Sequence, residues 1–180
     1  HAIGFREPFL LDSCIALAIA KILSNTIDYA LINRFKIGAH RIEEFRDSHN
    51  HLWVDDSKGT NIDATIEAVR RYENLRLILG GDDKGADLEP LFAFIQGKIA
   101  NGAKISIYAI GSNETKIARL SQKYGIECEV CTHLQDAVVS IKKVLKNNEV
   151  ALLSPAAASL DQFRSYKERG ELFKQYAMAT

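Results

Sequence analysis

The stretch Leu152-Leu153-Ser154-Pro155-Ala156-Ala157-Ala158-Ser159-Leu160-Asp161-Gln162-Phe163-Arg164-Ser165-Tyr166-Lys167-Glu168-Arg169-Gly170 decides the fold. An apolar run ends at Ser-Pro, crosses three alanines and passes through Ser-Leu-Asp into a polar segment. This reads as a strand, a loop of small residues, and a helix beginning at about Asp161. Small residues let the backbone approach a ligand closely, and a helix N-terminus favours an anion there.

Upstream, the same strand-loop-helix unit recurs. Short apolar runs at Leu52–Val54, Leu75–Leu79, Ile105–Ile110, Ile126–Val130 and Val150–Leu153 read as strands. Between them, residues 62–72, 91–99, 114–124 and 134–145 carry apolar side chains at helical spacing, as in Leu134, Val138, Ile141 and Leu145. Continuous apolar strands alternating with amphipathic helices predict an α/β fold, Rossmann-like and doubly wound. Its sheet is largely parallel, with helices on both faces. This domain is expected over residues 37–180. Residues 8–35 read as helical, from Leu11, Ile15, Ala18, Ile19 and Ile22, then Ile27, Leu31 and Phe35 after Ser24-Asn25. They form a separate N-terminal segment, 1–36.

Composition narrows the function classes. The 180 residues carry 23 Lys+Arg against 23 Asp+Glu, so no broad basic surface for nucleic acid or membrane is indicated. No run of about eighteen apolar residues predicts a membrane span, and the first residues lack a signal-peptide pattern. Three cysteines argue for a reducing compartment rather than a disulfide scaffold. Cys128 and Cys131 form a CxxC, read as two cysteines at a strand end because nothing completes a zinc site. His49 and His51 flank Asn50 and read as a surface hairpin turn, since no carboxylate or cysteine pattern completes a metal site.

In a doubly wound sheet, ligands sit at the carboxyl ends of strands, so the loops that follow strands hold the candidates. The first is Asp55-Asp56-Ser57-Lys58-Gly59-Thr60-Asn61. It suits a phosphate or carboxylate on Lys58 with an aspartate for ribose hydroxyls, and equally an ordinary helix cap at Thr60 or Asn61. The second, Leu79-Gly80-Gly81-Asp82-Asp83-Lys84-Gly85-Ala86-Asp87, presents Lys84 on a Gly-Gly turn and also fits a solvated turn. The third is the stretch quoted above. Gly111-Ser112-Asn113-Glu114 reads as a plain strand-to-helix turn. Neither G-x-x-x-x-G-K-[S/T] nor G-x-G-x-x-G occurs.

Taken together, the motifs resemble the Mur ligases of peptidoglycan synthesis, and within them the D-glutamate-adding branch. The resemblance rests on His40-Arg41, Asp56 to Asn61, Leu79 to Lys84, and Leu153 to Phe163 with Arg169-Gly170, in family order from about 37 to 173. It implies an ATP-dependent ligase that adds D-glutamate to UDP-N-acetylmuramoyl-L-alanine through an acyl phosphate. Residues 37–180 would be its C-terminal domain and residues 1–36 the tail of its central, ATP-binding domain. The resemblance further implies that Thr60, Lys84, Ser159, Leu160 (through its backbone) and Tyr166 receive D-glutamate. His40, Arg41, Asp56, Lys58 and Asn61 would meet ATP. Mg2+ ligands and the phosphate loop belong to parts of the family that this chain lacks, so the chain alone is expected to have no ligase activity. Where the family contacts adenine, this chain carries Pro8-Phe9 and Asp12. A monomer in the bacterial cytoplasm is implied, with small-molecule substrates only. The alternatives are another Mur-type or folylpolyglutamate-type ligase, and a non-catalytic nucleotide- or amino-acid-binding module.

Overall fold

The computed structural model describes residues 2–179; His1 and Thr180 lie outside the described residues. The chain divides into two compact units, residues 1–38 and 39–180. In the first, α1 (Phe9–Ser24) and α2 (Tyr29–Arg34) replace the single helical stretch expected over 8–35. The break is Asn25, whose left-handed backbone closes α1, while Asp28 caps α2 by accepting from the Leu31 N–H.

The second unit is a six-stranded sheet in the order β1-β2-β6-β3-β4-β5. Its strands are β1 (Glu43–Arg46), β2 (Leu52–Asp55), β3 (Asn74–Gly80), β4 (Lys104–Ile110), β5 (Glu127–Thr132) and β6 (Val150–Leu153). All neighbours are parallel except the β1–β2 pair, so the sheet is the largely parallel one expected. β1 is an addition: Glu-Glu-Phe-Arg has one apolar residue and sits at an edge, where charge protects the exposed ladder. Its hairpin turn contains His49 and His51, as read. However, Asp47 stands beside them, 3.1 Å from His51 Nδ1, so the expectation that no carboxylate accompanies these histidines is corrected.

Side chains alternate between the two sheet faces with the period of two that a strand imposes. Val54, Leu75, Leu77, Leu79, Ile105, Ile107 and Leu152 pack under α3 (Ile62–Arg70), α4 (Glu89–Ala100) and α5 (Glu114–Tyr124). Trp53, Ile78, Tyr108, Ile110, Ala151 and Leu153 face α6 (Leu134–Val144) and α7 (Tyr166–Met178). The chain steps outward from β3 to β5, then returns through α6 to insert β6 between β2 and β3. Right-handed crossovers put helices of the return path on the opposite face.

α7 begins at Tyr166, not at about Asp161. Residues 159–163 form an isolated turn, with the N–H groups of Gln162 and Phe163 donating to the Ser159 carbonyl. Ser165 then starts the helix: its side chain accepts from the Glu168 N–H, and Glu168 reaches back to the Arg164 N–H at 2.6 Å. The small-residue loop is therefore longer than expected and does not itself open a helix.

Candidate functional site

Because β6 lies between β2 and β3 and all three are parallel, the loops that follow these strands emerge side by side at the carboxyl end of the sheet. Backbone hydrogen bonds then fasten them together. Ala156 N–H donates to the Gly59 carbonyl at 3.0 Å, joining the first loop to the third. Gly80 N–H donates to Pro155, and Asp82 and Ala158 exchange both backbone bonds at 3.0 and 2.8 Å, joining the second to the third.

Asp56 sits inside this junction. It is 5% exposed; Oδ2 accepts from Ser154 Oγ at 2.6 Å and Oδ1 from the Ile42 N–H at 3.2 Å. Burial pushes its carboxyl up to about 7, against those hydrogen bonds, with Asp55 adding like charge. A Cβ on Gly59 would stand 2.4 Å from Asp56 Oδ2, so only glycine fits there. Asp56 is thus turned inward, with its carboxyl engaged by Ser154 and the Ile42 N–H.

Arg169 ties the same loops from behind. Although fully buried, it has no carboxylate within salt-bridge distance among the described residues. Instead Nε donates to Ser57 Oγ at 3.0 Å and Nη2 to the carbonyls of Ser57 and Ala157 at 2.9 and 3.1 Å. Burial lowers its guanidinium to about 10, while Asp161, Asp55 and Asp56 act in the opposite direction. The sequence alone assigns Arg169 no role; its internal connection of the two loops supplies one. Gly170 lets α7 touch His40: a Cβ there would meet His40 Nδ1 at 2.3 Å and Asp55 Oδ2 at 2.7 Å.

His40, 4% exposed, holds a left-handed backbone with φ 63°. Its Nδ1 lies 2.7 Å from Asp55 Oδ2, and its ring meets Tyr166 edge to face at 6.1 Å. Its carbonyl accepts from the Lys58 N–H, and Lys58 Nζ lies 4.2 Å from the Tyr166 ring centroid. His40, Lys58 and Tyr166 are therefore one contiguous group. Arg41 is exposed beside it. Asn61 caps α3 by accepting from Ala64 N–H at 2.9 Å, which is the ordinary role weighed for it. Thr60 and Lys84 are exposed, Ser159 is 3% exposed, and the Leu160 side chain points to solvent at 66%.

The fourth loop, Gly111–Asn113, is more than a plain turn. Asn113 accepts from Gly81 N–H and donates to Asp83, whereas Ser112 donates to the Gly81 carbonyl and takes Asp161 on its N–H. Lys116 joins Asp83 at 2.8 Å. Although burial pushes the other way, Lys116 and Asn113 hold the Asp83 carboxyl below its usual value. This bracing leaves Lys84 outside the network except for its N–H on Asp82, with φ 52° turning it outward. Only the contact pattern reveals this loop's role; its sequence contains no motif that marks it.

The fold is that of the Mur-type ligases. MurF from Acinetobacter baumannii superposes with a TM-score of 0.65 over 98% of this chain and 38% of its own, at 14% identity. MurF from Thermotoga maritima, described in complex with ADP, gives 0.59 over 96% and 38%, also at 14%. No family model matches the chain. The UDP-N-acetylmuramoylalanine–D-glutamate ligase of Helicobacter pylori strain J99 is 50% identical over 190 aligned residues, covering 99% of this chain and 44% of the relative. The chain belongs to the UDP-N-acetylmuramoylalanine–D-glutamate ligase family. It spans less than half the length of the curated relatives it matches.

Proposed function

We propose that this chain is the amino-acid-receiving module of an ATP-dependent ligase that joins D-glutamate to UDP-N-acetylmuramoyl-L-alanine. Residues 37–180 act as the C-terminal module, and residues 1–36 as the end of the ATP-binding domain. The observation that carries the reading is the fastening of the β2, β3 and β6 loops into one rigid rim. That rim leaves Lys84, Thr60 and the Ser159–Leu160 backbone with their donors unspent on one another. D-Glutamate carries two carboxylates, and a lysine, a hydroxyl and backbone N–H groups are suited to receive them.

The chemistry asked of this module is positioning. The neutral D-glutamate amine adds to the carbonyl carbon of the acyl phosphate, the tetrahedral adduct breaks its carbon–oxygen bond to phosphate, and phosphate leaves while the amine proton passes to it or to water. Holding both carboxylates fixes that nitrogen over the face of the acyl carbonyl and removes the entropy cost of orientation from the barrier. Lys58 and Arg41 are the cations placed to meet phosphate oxygens, with Tyr166 and His40 setting the direction of Lys58. Asp56 shapes the loop that presents Lys58 rather than touching the ribose, and Asn61 caps α3. Mg2+ and the phosphate loop would be supplied by protein outside this chain, which therefore would not turn over ATP alone. Cytoplasmic location and a monomeric state accompany this reading.

Lys84→Ala, made in the full protein encoded by the reading frame that carries this sequence, tests it. The KM for D-glutamate is expected to rise at least roughly tenfold with that for ATP unchanged, the size of one lost charge-assisted contact. Unchanged D-glutamate kinetics would remove Lys84 from the site.

A further inference from the structure

The turn of the β1–β2 hairpin lies at the opposite end of β2 from Asp55, and none of the chemistry above uses it. Its carboxylate, Asp47, is held as a metal ligand's carboxylate is held. Oδ1 accepts from the N–H groups of His49 and His51, each at 2.9 Å. Oδ2 accepts from Trp53 Nε1 at 3.0 Å and stands 3.1 Å from His51 Nδ1. The Asp47 side chain is only 5% exposed and that of His51 20%. The His49 ring stacks on that of His51, with centroids 6.0 Å apart at 27°. One ligand atom from each of the three residues lies within 4.8 Å of the others.

We propose that Asp47, His49 and His51 form a three-ligand site for a borderline divalent transition ion, Zn2+ or Ni2+. Two ligands bound to one tetrahedral ion at ordinary bond lengths are about 3.3 Å apart. The Asp47–His51 pair already meets that separation, and rotation of the exposed His49 ring completes the set. The turn itself does not need His49: Asp47 Oδ1 and the left-handed Asn50, with φ 65°, close it. Two imidazoles and one carboxylate select such ions over Mg2+ or Ca2+, which prefer oxygen-only sites. The Trp53 N–H and the two backbone N–H groups orient the carboxylate from behind, the outer-shell support that metal sites use. On binding, the His51 proton moves from Nδ1 to Nε2 in the neutral ring, freeing Nδ1 for the ion.

Trp53 is the sole tryptophan and bonds the ligand carboxylate, so its emission reports occupancy. Titration of this chain with Zn2+ alone, and separately with Ni2+, is expected to give saturable calorimetric heat at one ion per chain together with a change in Trp53 emission. His49→Ala, a surface change that spares the hairpin, should weaken binding at least roughly tenfold, as should His51→Ala. Cys14→Ser and His133→Ala, which remove other exposed donors, should bind as the parent does. Absence of saturation into the millimolar range, or equal affinity in His49→Ala, would overturn the proposal.

Discussion

Asp56→Asn isolates a carboxyl whose burial reverses the usual dependence of stability on pH. In the folded chain this carboxyl is pushed up to about 7 from an ordinary value of 3.8. The folded state therefore holds a proton that the unfolded state releases, and stability falls as pH rises between those values. One pKa unit corresponds to about 1.4 kcal/mol, and integrating the two titrations from pH 5.5 to 8 gives a loss of about 2 kcal/mol. The carboxyls held low, Glu43, Asp47, Asp83, Glu149 and Glu168, act with opposite sign and below that window, since their stabilisation is lost as pH falls. Urea unfolding at pH 5.5, 6.5, 7.25 and 8 should therefore show the parent losing stability relative to Asp56→Asn as pH increases. Parallel pH profiles for the two proteins would refute the placement of Asp56 inside the loop junction.

Four further outcomes follow from single positions. Gly170→Ala should destabilise by about 3 kcal/mol in thermal melts, because its Cβ collides with His40 and Asp55, whereas Gly97→Ala, with nothing within 4 Å, should stabilise α4 by about 1 kcal/mol. Arg169→Met leaves the Ser57 and Ala157 carbonyls without their donor and should lower stability by roughly 2–3 kcal/mol in urea titrations. Asn113→Ala should loosen the Gly81–Lys84 loop, seen as faster amide hydrogen exchange at Gly81 and Lys84 while exchange in β4 is unchanged.

Parallel strands buried on both faces have near-continuous apolar runs, which is why Leu75–Leu79 and Ile105–Ile110 were legible as strands and the α/β class with them. Strand order was not, because inserting β6 between β2 and β3 is a long-range event that no local pattern records. β1 is not legible in sequence because an edge strand needs few apolar residues, and Phe45 alone does not show a period. The start of α7 is ambiguous in sequence, because Ser159-Leu160-Asp161 competes with the capping signature Ser165-x-x-Glu168 that the structure uses. Asp56 reads in sequence as one of several ligand-facing polar residues. Its inward turn depends on Ser154, ninety-eight positions away. The proximity of Asp47 to His51 is local, four positions apart in the turn between β1 and β2, but it becomes legible only once β1 is placed and Asp47 falls inside the hairpin.

The central claim is that this module receives D-glutamate. Phosphate release by the full encoded protein, supplied with ATP, Mg2+ and UDP-N-acetylmuramoyl-L-alanine, should be measured with D-glutamate, L-glutamate, L-alanine and meso-diaminopimelate in turn. The account expects release with D-glutamate and background with the rest. Release with meso-diaminopimelate or L-alanine but not with D-glutamate would contradict it.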